Sequence, residues 1–572
     1  MFKQKIIGLI ENASKLHEDE VNRVIEVPPS LNMGDYSFPC FVLADPKKDD
    51  EMWANVEKDF FKRKNPFEIA SHLKDIIEKK LPKEIERVEV KGGYLNFFVD
   101  KNKLAESIIN IGNNYGKVKV SNERVMMEFS QPNTHKAFHV GHIRGTSLGE
   151  SISRILENVG NKVIRANYSG DTGMHIAKWI WCYLNFHKKE KLSDDESWIA
   201  GIYVDAVKRL SDDEGYQDQV NEINRKIESK SDKEINSLWK KSKDLSVKSW
   251  NKIYEELGTR FDRHYFESEL EEGGKRIAKE LEKKGIAEIS DEALIVNLEK
   301  HGLGIWVLLR SDGTVLYSAK DLALAREKID NQKLDRFVII TGDEQNAYFN
   351  QLLKTLDLMD MPKRDKYHHI GFGMIRLPHG KMSSRTGDNI LYSEFKEELR
   401  EVAEKSIRGK WPKLSNKEVE KRSLKIAISS IKYAFLKQDT NKLIVFDKDQ
   451  AMRFEGNTGP YLQYSYARAN SILEKSKSKK KVMISELSDL EIGLMNKIGR
   501  FPEVVVKGAE TYSPSIVANY AYELSKVFNE FYHSSKVIGS KEEAFRLKLV
   551  DAFRKTLKNA LYLLGIEVME EM

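Results

Sequence analysis

Apolar residues in this 572-residue chain change period sharply near residue 130. "RVMMEFS" (124–130) is an apolar run of strand length. Beyond it, Leu148, Ile152, Ile155, Leu156 and Val159 recur every three or four positions on one helical face. Gly160 ends that helix, "KVIRANYS" (162–169) reads as a second strand, and the loop "GDTG" closes it. Strand, helix, strand in this order predicts a parallel βαβ unit.

The flanking texture differs on both sides. Residues 1–118 mix helical patterns ("NPFEIASHLKDIIEKKL") with short strand-like runs ("VEVKGGYLNFFVD") and the turn-rich "NMGDYSFPC", predicting an N-terminal α+β domain. Residues 186 to about 300 are lysine- and glutamate-rich and helical in period, predicting an insertion into the α/β domain. The α/β texture returns with "GIWVLLRSDGTVLYSAKDLALA", "RFVIITGDEQNAYFNQLLKTL" and "YHHIGFGMI". Past residue 395 no convincing strand remains. Val517, Tyr520, Leu524, Val527, Phe528 and Phe531 form one helical stripe; Leu549, Ala552, Phe553, Leu557, Ala560, Leu561 and Leu564 form another, stopped by Gly565. The expected fold class is therefore α/β, divided 1–118, 119–394 and 395–572, with an all-α helical bundle last. The run "KSKSKKK" (475–481) reads as a solvated connection.

Composition narrows the class. Hydrophobic residues make up 40% and charged residues 32%, a globular profile, and no apolar run nears the ~18 residues needed to span a bilayer. The start, "MFKQKIIGLIENASKL", has the pattern of an amphipathic helix rather than a signal peptide. Two cysteines, Cys40 and Cys182, allow neither a disulfide framework nor a C-x-x-C zinc site. No metal ligands and no structural zinc are expected, and the setting should be reducing and cytoplasmic. The net charge of +6 permits an anionic partner without demanding one.

Candidate chemistry gathers where the first strand meets its helix. In "THKAFHVGHIRG", His139 and His142 flank Gly141 at a helix start. There the helix dipole and free N–H groups favour phosphate, imidazoles can donate to it, and a glycine lets a flat base approach the backbone. No P-loop sequence is present. An isolated H-x-G-H is equally well two histidines satisfied beside a turn. Far downstream, "KMSSRTGD" (381–388) is a polar, glycine-closed loop after another strand. In an interrupted doubly wound domain both would face the switch-point crevice.

Taken together, the two segments resemble the "HIGH" and "KMSKS" signatures of class I aminoacyl-tRNA synthetases. The blocks "EFSQPNTHKAFHVGHIRGTSLGESISRILENVG", "VIRANYSGDTGMH", "SDGTVLYSAKDLA", "GDEQNAYFNQL", "FEGNTGPYLQYSYARANSIL", "FNEFYH" and "LYLLGIEVMEEM" resemble the arginyl-tRNA synthetase family in particular. "MGDYSFPC" and "GGYLNFFV" are similar to that family's N-terminal additional domain, so the likeness spans nearly the whole chain and is weakest over 186–300.

The resemblance implies a Rossmann-like catalytic core that joins arginine to the α-phosphate of ATP, with Mg²⁺, and passes it to the 2′-hydroxyl of the terminal adenosine of tRNA(Arg). By match to the family's motifs, His139, Gly141, His142, Lys381, Met382, Ser383, Ser384 and Arg385 would bind ATP. The family's second loop lysine is replaced by Ser384, and Lys136, three positions before His139, is the compensating candidate. Glu128, Asn133, Tyr317, Asp321 and Gln345 would bind arginine; Tyr317 and Asp321, four apart, share a helix face. Tyr461 and Tyr464 match anticodon-loop positions, and Tyr94 and Asn96 match positions at the outer corner of tRNA. The family also implies a monomer. Rival readings are a synthetase for another amino acid, a small nucleotidyltransferase and a non-catalytic tRNA-binding relative. The missing zinc cysteines, the short insertion, the helical last third and the retained His139, His142, Lys381 and Asp321 weigh against them.

Overall fold

The computed structural model describes residues 2–44, 65–376, 378, 391–476 and 481–572. The described chain divides into two compact units: 1–115 with 469–501 and 524–556, and 116–468 with 502–523 and 557–572. The helices Gly459–Lys475, Pro514–Ser534 and Glu543–Leu563 each contribute residues to both.

The first unit carries an antiparallel sheet of β1 (Tyr36–Pro39), β2 (Ile85–Lys91) and β3 (Tyr94–Val99) in the order β1-β3-β2. Helix Pro66–Glu78 packs on β2 and β3 through Ile69, Ala70, Leu73 and Ile77. It starts where Asn65 accepts from the Phe67 N–H at 3.0 Å and Pro66 takes the first helical position.

The second unit is built on β4 (Arg124–Glu128), β5 (Lys162–Ser169), β6 (Arg263–Phe266), β10 (Arg336–Gly342) and β11 (Tyr367–Phe372). All pair in parallel in the order β11-β10-β4-β5-β6. The chain steps outward from β4 to β5 and β6, then returns to the other side of β4 as β10. The switch point therefore lies between the carboxyl ends of β4 and β10, where open α/β sheets form a crevice. Phe337, Val338, Ile339 and Ile340 on β10 are all buried, as expected of a strand covered on both faces.

Two sequence expectations need revision. The stretch expected to be helical to about residue 300 contains the helices Glu196–Asp212, Gln217–Glu228 and Lys233–Glu256. It then supplies β6 to the parallel sheet and, after helix Glu267–Lys283, the strands β7 (Glu288–Ser290) and β8 (Ala293–Asn297). With β9 (Ile305–Leu309) these form a separate antiparallel sheet. Four residues are too few for a period to register, and β6 exists through its pairing with β5. Beyond residue 395, β13 (Ile444–Val445) pairs in parallel with β12 (Ile375–Arg376). The buried Arg144 guanidinium holds both segments by donating to the carbonyls of Gly373, Met374, Thr440 and Lys442.

Candidate active site

The connection from β4 to helix Val140–Asn158 is held in an uncommon backbone conformation. Ser130, Gln131 and His135 have φ of 83°, 46° and 64°, each costing roughly 1–3 kcal/mol for a residue other than glycine. Anchors from elsewhere fix it: the Gln131 N–H donates to Asn167 Oδ1 (3.0 Å), the Thr134 N–H to Gly170 O (3.0 Å) and the His135 N–H to Ser246 Oγ (3.1 Å). Strain sustained by the surrounding fold presents the next residues, the histidine corner, to the crevice.

His139 is the N-cap of the helix. Its Nδ1 accepts from the Gly141 N–H at 3.2 Å, while His142 Nδ1 accepts from the His139 N–H at 3.1 Å, a reciprocal capping box. The two rings stack with centroids 3.8 Å apart. Because each Nδ1 accepts from backbone, the hydrogen bonds assign the ring proton to Nε2, leaving two N–H donors. Burial pushes His139 down to about 4 and His142 well below its ordinary value, and the charge of Lys136 pushes both the same way. Both imidazoles are neutral donors at neutral pH. A Cβ at Gly141 would lie 3.0 Å from the His139 ring, a tight contact that glycine avoids. Two turns on, a Cβ at Gly149 would lie 2.0 Å from Phe129, so there glycine serves helix packing.

Facing this corner is a cavity of about 780 Å³ at the switch point, lined by His139, Gly141 and His142 and also by Glu128, Asn133, Tyr317, Asp321 and Gln345. Asp321 lies one turn after Tyr317 on helix Tyr317–Gln332. Tyr348 Oη donates to Asp321 Oδ2, while Oδ1 is buried with no hydrogen-bond partner among the described residues. Burial pushes Asp321 up to about 7; the Tyr348 hydroxyl opposes the rise, and Glu128 and Glu267 add to it. Glu128 ends β4 and pairs with the buried Lys328 ammonium, and Glu267 lies 3.5 Å from Lys320. Two of these three carboxylates thus have an ammonium partner, and Asp321 presents an orphan oxygen. A cationic ligand with several N–H donors matches that deficit. Asn133 Oδ1 accepts from the Gly170 N–H at 3.2 Å, leaving its NH₂ to donate.

The remaining sequence candidates lie elsewhere. Lys136 is half-buried beside the corner, its Nζ 5.5 Å from the Tyr203 ring centroid, and burial lowers its pKa, with Lys178 adding to the effect. Lys381, Met382, Ser383, Ser384 and Arg385 lie outside the described residues. The segments on either side of them meet the corner: Ile375 lines the cavity, and Leu391 bridges to His139 while the Tyr392 N–H donates to Phe138 O at 2.9 Å. Tyr461 and Tyr464 are half-buried on helix Gly459–Lys475, away from the cavity. Arg468 Cζ and Lys410 Nζ lie 4.8 and 5.2 Å from the Tyr464 ring centroid. In the first unit Tyr94 is exposed at the start of β3, whereas Asn96 is buried, its Oδ1 accepting from Ser37 Oγ at 2.7 Å. Sequence reasoning missed Tyr168, Glu267, Tyr348 and Lys328. Only Lys328 left a local signal: it falls seven positions after Asp321, on the same helical face.

Residues 105–447 match the family model described as tRNA synthetases class I (R), catalytic domain; 462–572 match a DALR anticodon binding domain, and 1–99 an arginyl tRNA synthetase N terminal domain. The arginine–tRNA ligases of Clostridium perfringens and Clostridium acetobutylicum are 34% and 33% identical, with all of both chains covered. Arginyl-tRNA synthetase from Thermus thermophilus superposes with a TM-score of 0.83 at 25% identity, again covering both chains fully. The switch-point cavity, its histidine corner and these full-length likenesses agree: the chain belongs to the arginyl-tRNA synthetases, class I aminoacyl-tRNA ligases.

Proposed function

We propose that this cavity activates L-arginine with ATP and transfers it to tRNA(Arg). The carrying observation is that five residues expected to hold arginine and three expected to hold ATP line one cavity, with the unpartnered Asp321 oxygen among the former. The arginine guanidinium fits Asp321, with Tyr317 and Tyr348 packed beside it at 5.1 Å between ring centroids. Glu128, Asn133 and Gln345 bind the ammonium and carboxylate end. An oxygen of that carboxylate attacks the α-phosphorus, its new P–O bond replacing the bond to pyrophosphate. In this reading the neutral His139 and His142 donate from Nε2 to the phosphates, Lys136 adds positive charge, and Gly141 backs the adenine.

By the family's motif, Lys381, Met382, Ser383, Ser384 and Arg385 serve ATP, Lys381 on the pyrophosphate side. Mg²⁺ enters on the nucleotide, and the exposed carboxylate of Glu344 in the cavity wall suits its oxygen chemistry. The adenosine 2′-hydroxyl then attacks the activated carbonyl, releasing AMP. Tyr461 and Tyr464 serve the anticodon loop, where a stacked base contributes roughly 1–3 kcal/mol, and the cations around Tyr464 suit phosphate. Tyr94 and Asn96 serve the outer corner of tRNA, Tyr94 by contact and Asn96 by holding the sheet. The enzyme acts as a cytoplasmic monomer; among the described residues no helix is long and apolar enough to cross a membrane.

ATP–pyrophosphate exchange tests this reading, run for arginine, lysine and other amino acids with and without tRNA. Exchange specific to arginine is expected; equal exchange with lysine, or none under either condition, overturns it.

A further inference from the structure

Outside the active site, the described residues bring one set of sulfur, nitrogen and oxygen ligands together: Cys182, His187 and Asp205, whose donor atoms lie within 4.8 Å of one another. Cys182 ends helix Met174–Cys182, and the chain continues through one π-helical turn, Tyr183–His187, into His187. In an α-helix, residues five apart point about 140° away from each other. The i→i+5 register of a π turn instead stacks them. The local departure from α geometry thus aligns this thiol and this imidazole. Asp205 comes from the facing helix Glu196–Asp212.

The distances suit a small cation. Cys182 Sγ lies 3.4 Å and His187 Nε2 3.0 Å from Asp205 Oδ2. Tetrahedral zinc, with bonds of about 2.0–2.3 Å, separates such ligand atoms by roughly 3.4–3.6 Å, within a few tenths of an ångström of these values. His187 Nδ1 lies 2.7 Å from Glu190 Oε1, whose other oxygen accepts from Trp198 Nε1 at 2.8 Å. A carboxylate on the far nitrogen is the partner that fixes a metal-binding imidazole. Arg209 Nε donates to Asp205 Oδ2 at 2.8 Å and its guanidinium stacks on Phe186 at 3.8 Å, a partner that could shift to the other carboxylate oxygen.

We propose that Cys182, His187 and Asp205 bind a thiophilic divalent cation, zinc above all, with solvent as fourth ligand, clasping the π turn to helix Glu196–Asp212. The cysteine count excludes a C-x-x-C framework, from which no structural zinc was expected; a mixed set needs only one thiol.

The test uses the full chain, stripped with chelator and titrated with zinc and then with cobalt. About one equivalent of tightly held zinc is expected, with a thiolate-to-cobalt absorption band. Cys182→Ser should abolish the band. Because Cys182 is buried, Asp205→Asn provides a second variant and should also lose the equivalent. Glu190→Gln should weaken affinity roughly 10–100-fold while keeping the band, and Cys40→Ser should change nothing. No stoichiometric zinc, or binding that survives both Cys182→Ser and Asp205→Asn, overturns the site and leaves a His187–Asp205–Arg209 ion network.

Discussion

Replacing Asp321 by asparagine separates what this carboxylate does for binding from what it does to stability. In the arginine-free protein, burial raises the carboxyl from 3.8 to about 7. At about 1.4 kcal/mol per pH unit this is about 4 kcal/mol against the ionised form, an upper figure because the cavity admits water. The folded value is raised, so the protonated form is the one that folding favours. The contribution of this group to stability is full below pH 3.8 and is lost as pH rises through about 7. At alkaline pH the Asp321→Asn protein, which cannot ionise there, should therefore melt higher than wild type.

With Asp321 holding the guanidinium as proposed, arginine binding has the opposite sensitivity, since the guanidinium needs the carboxylate. In wild type the apparent KM for arginine should be flat above pH 7 and rise about tenfold per unit below it. The Asp321→Asn variant should lose that dependence and bind more weakly by ~3–5 kcal/mol, roughly a hundred- to several-thousand-fold in KM. Arginine-dependent pyrophosphate exchange over about pH 6–8, with thermal melts of the same preparations, measures both. A KM within about threefold of wild type, or a wild-type KM flat across that range, refutes the assignment.

Further outcomes follow from the same geometry. If His142 donates to phosphate as proposed, His142→Ala should lower the rate of pyrophosphate exchange about 10²–10³-fold with little change in the KM for arginine. Lys136→Ala should slow adenylate formation well beyond its effect on tRNA binding; equal losses in single-turnover activation and in filter binding reject that role. Lys328→Met strands the buried Glu128 and should cost ~3–5 kcal/mol of stability by denaturant titration. Adding Glu128→Gln should recover part of that loss, a coupling absent if the pair is incidental.

The chain's local pattern determined more of this protein than its long-range contacts reveal. β4, β5, β10 and their helices were legible because apolar period and turn chemistry act within a few residues. The histidine corner was legible for the same reason, since a cap is made by residues two and three positions apart. Tyr317 and Asp321 needed only one helical turn to be read as a pair. Tertiary structure alone decided the rest. β6 is a strand because β5 lies beside it, and Arg144 holds a two-residue parallel pair that no period could announce. Lys328 looks like a solvated lysine until Glu128, 200 positions away in sequence, meets it in the core. The charge left on Asp321, and with it the preference for a cation, depends on Glu128, Glu267 and Tyr348 converging on its helix from separate elements. Long periodic elements follow from neighbours along the chain; short paired strands and the electrostatics of a cavity follow from neighbours in space, which the sequence order does not encode locally.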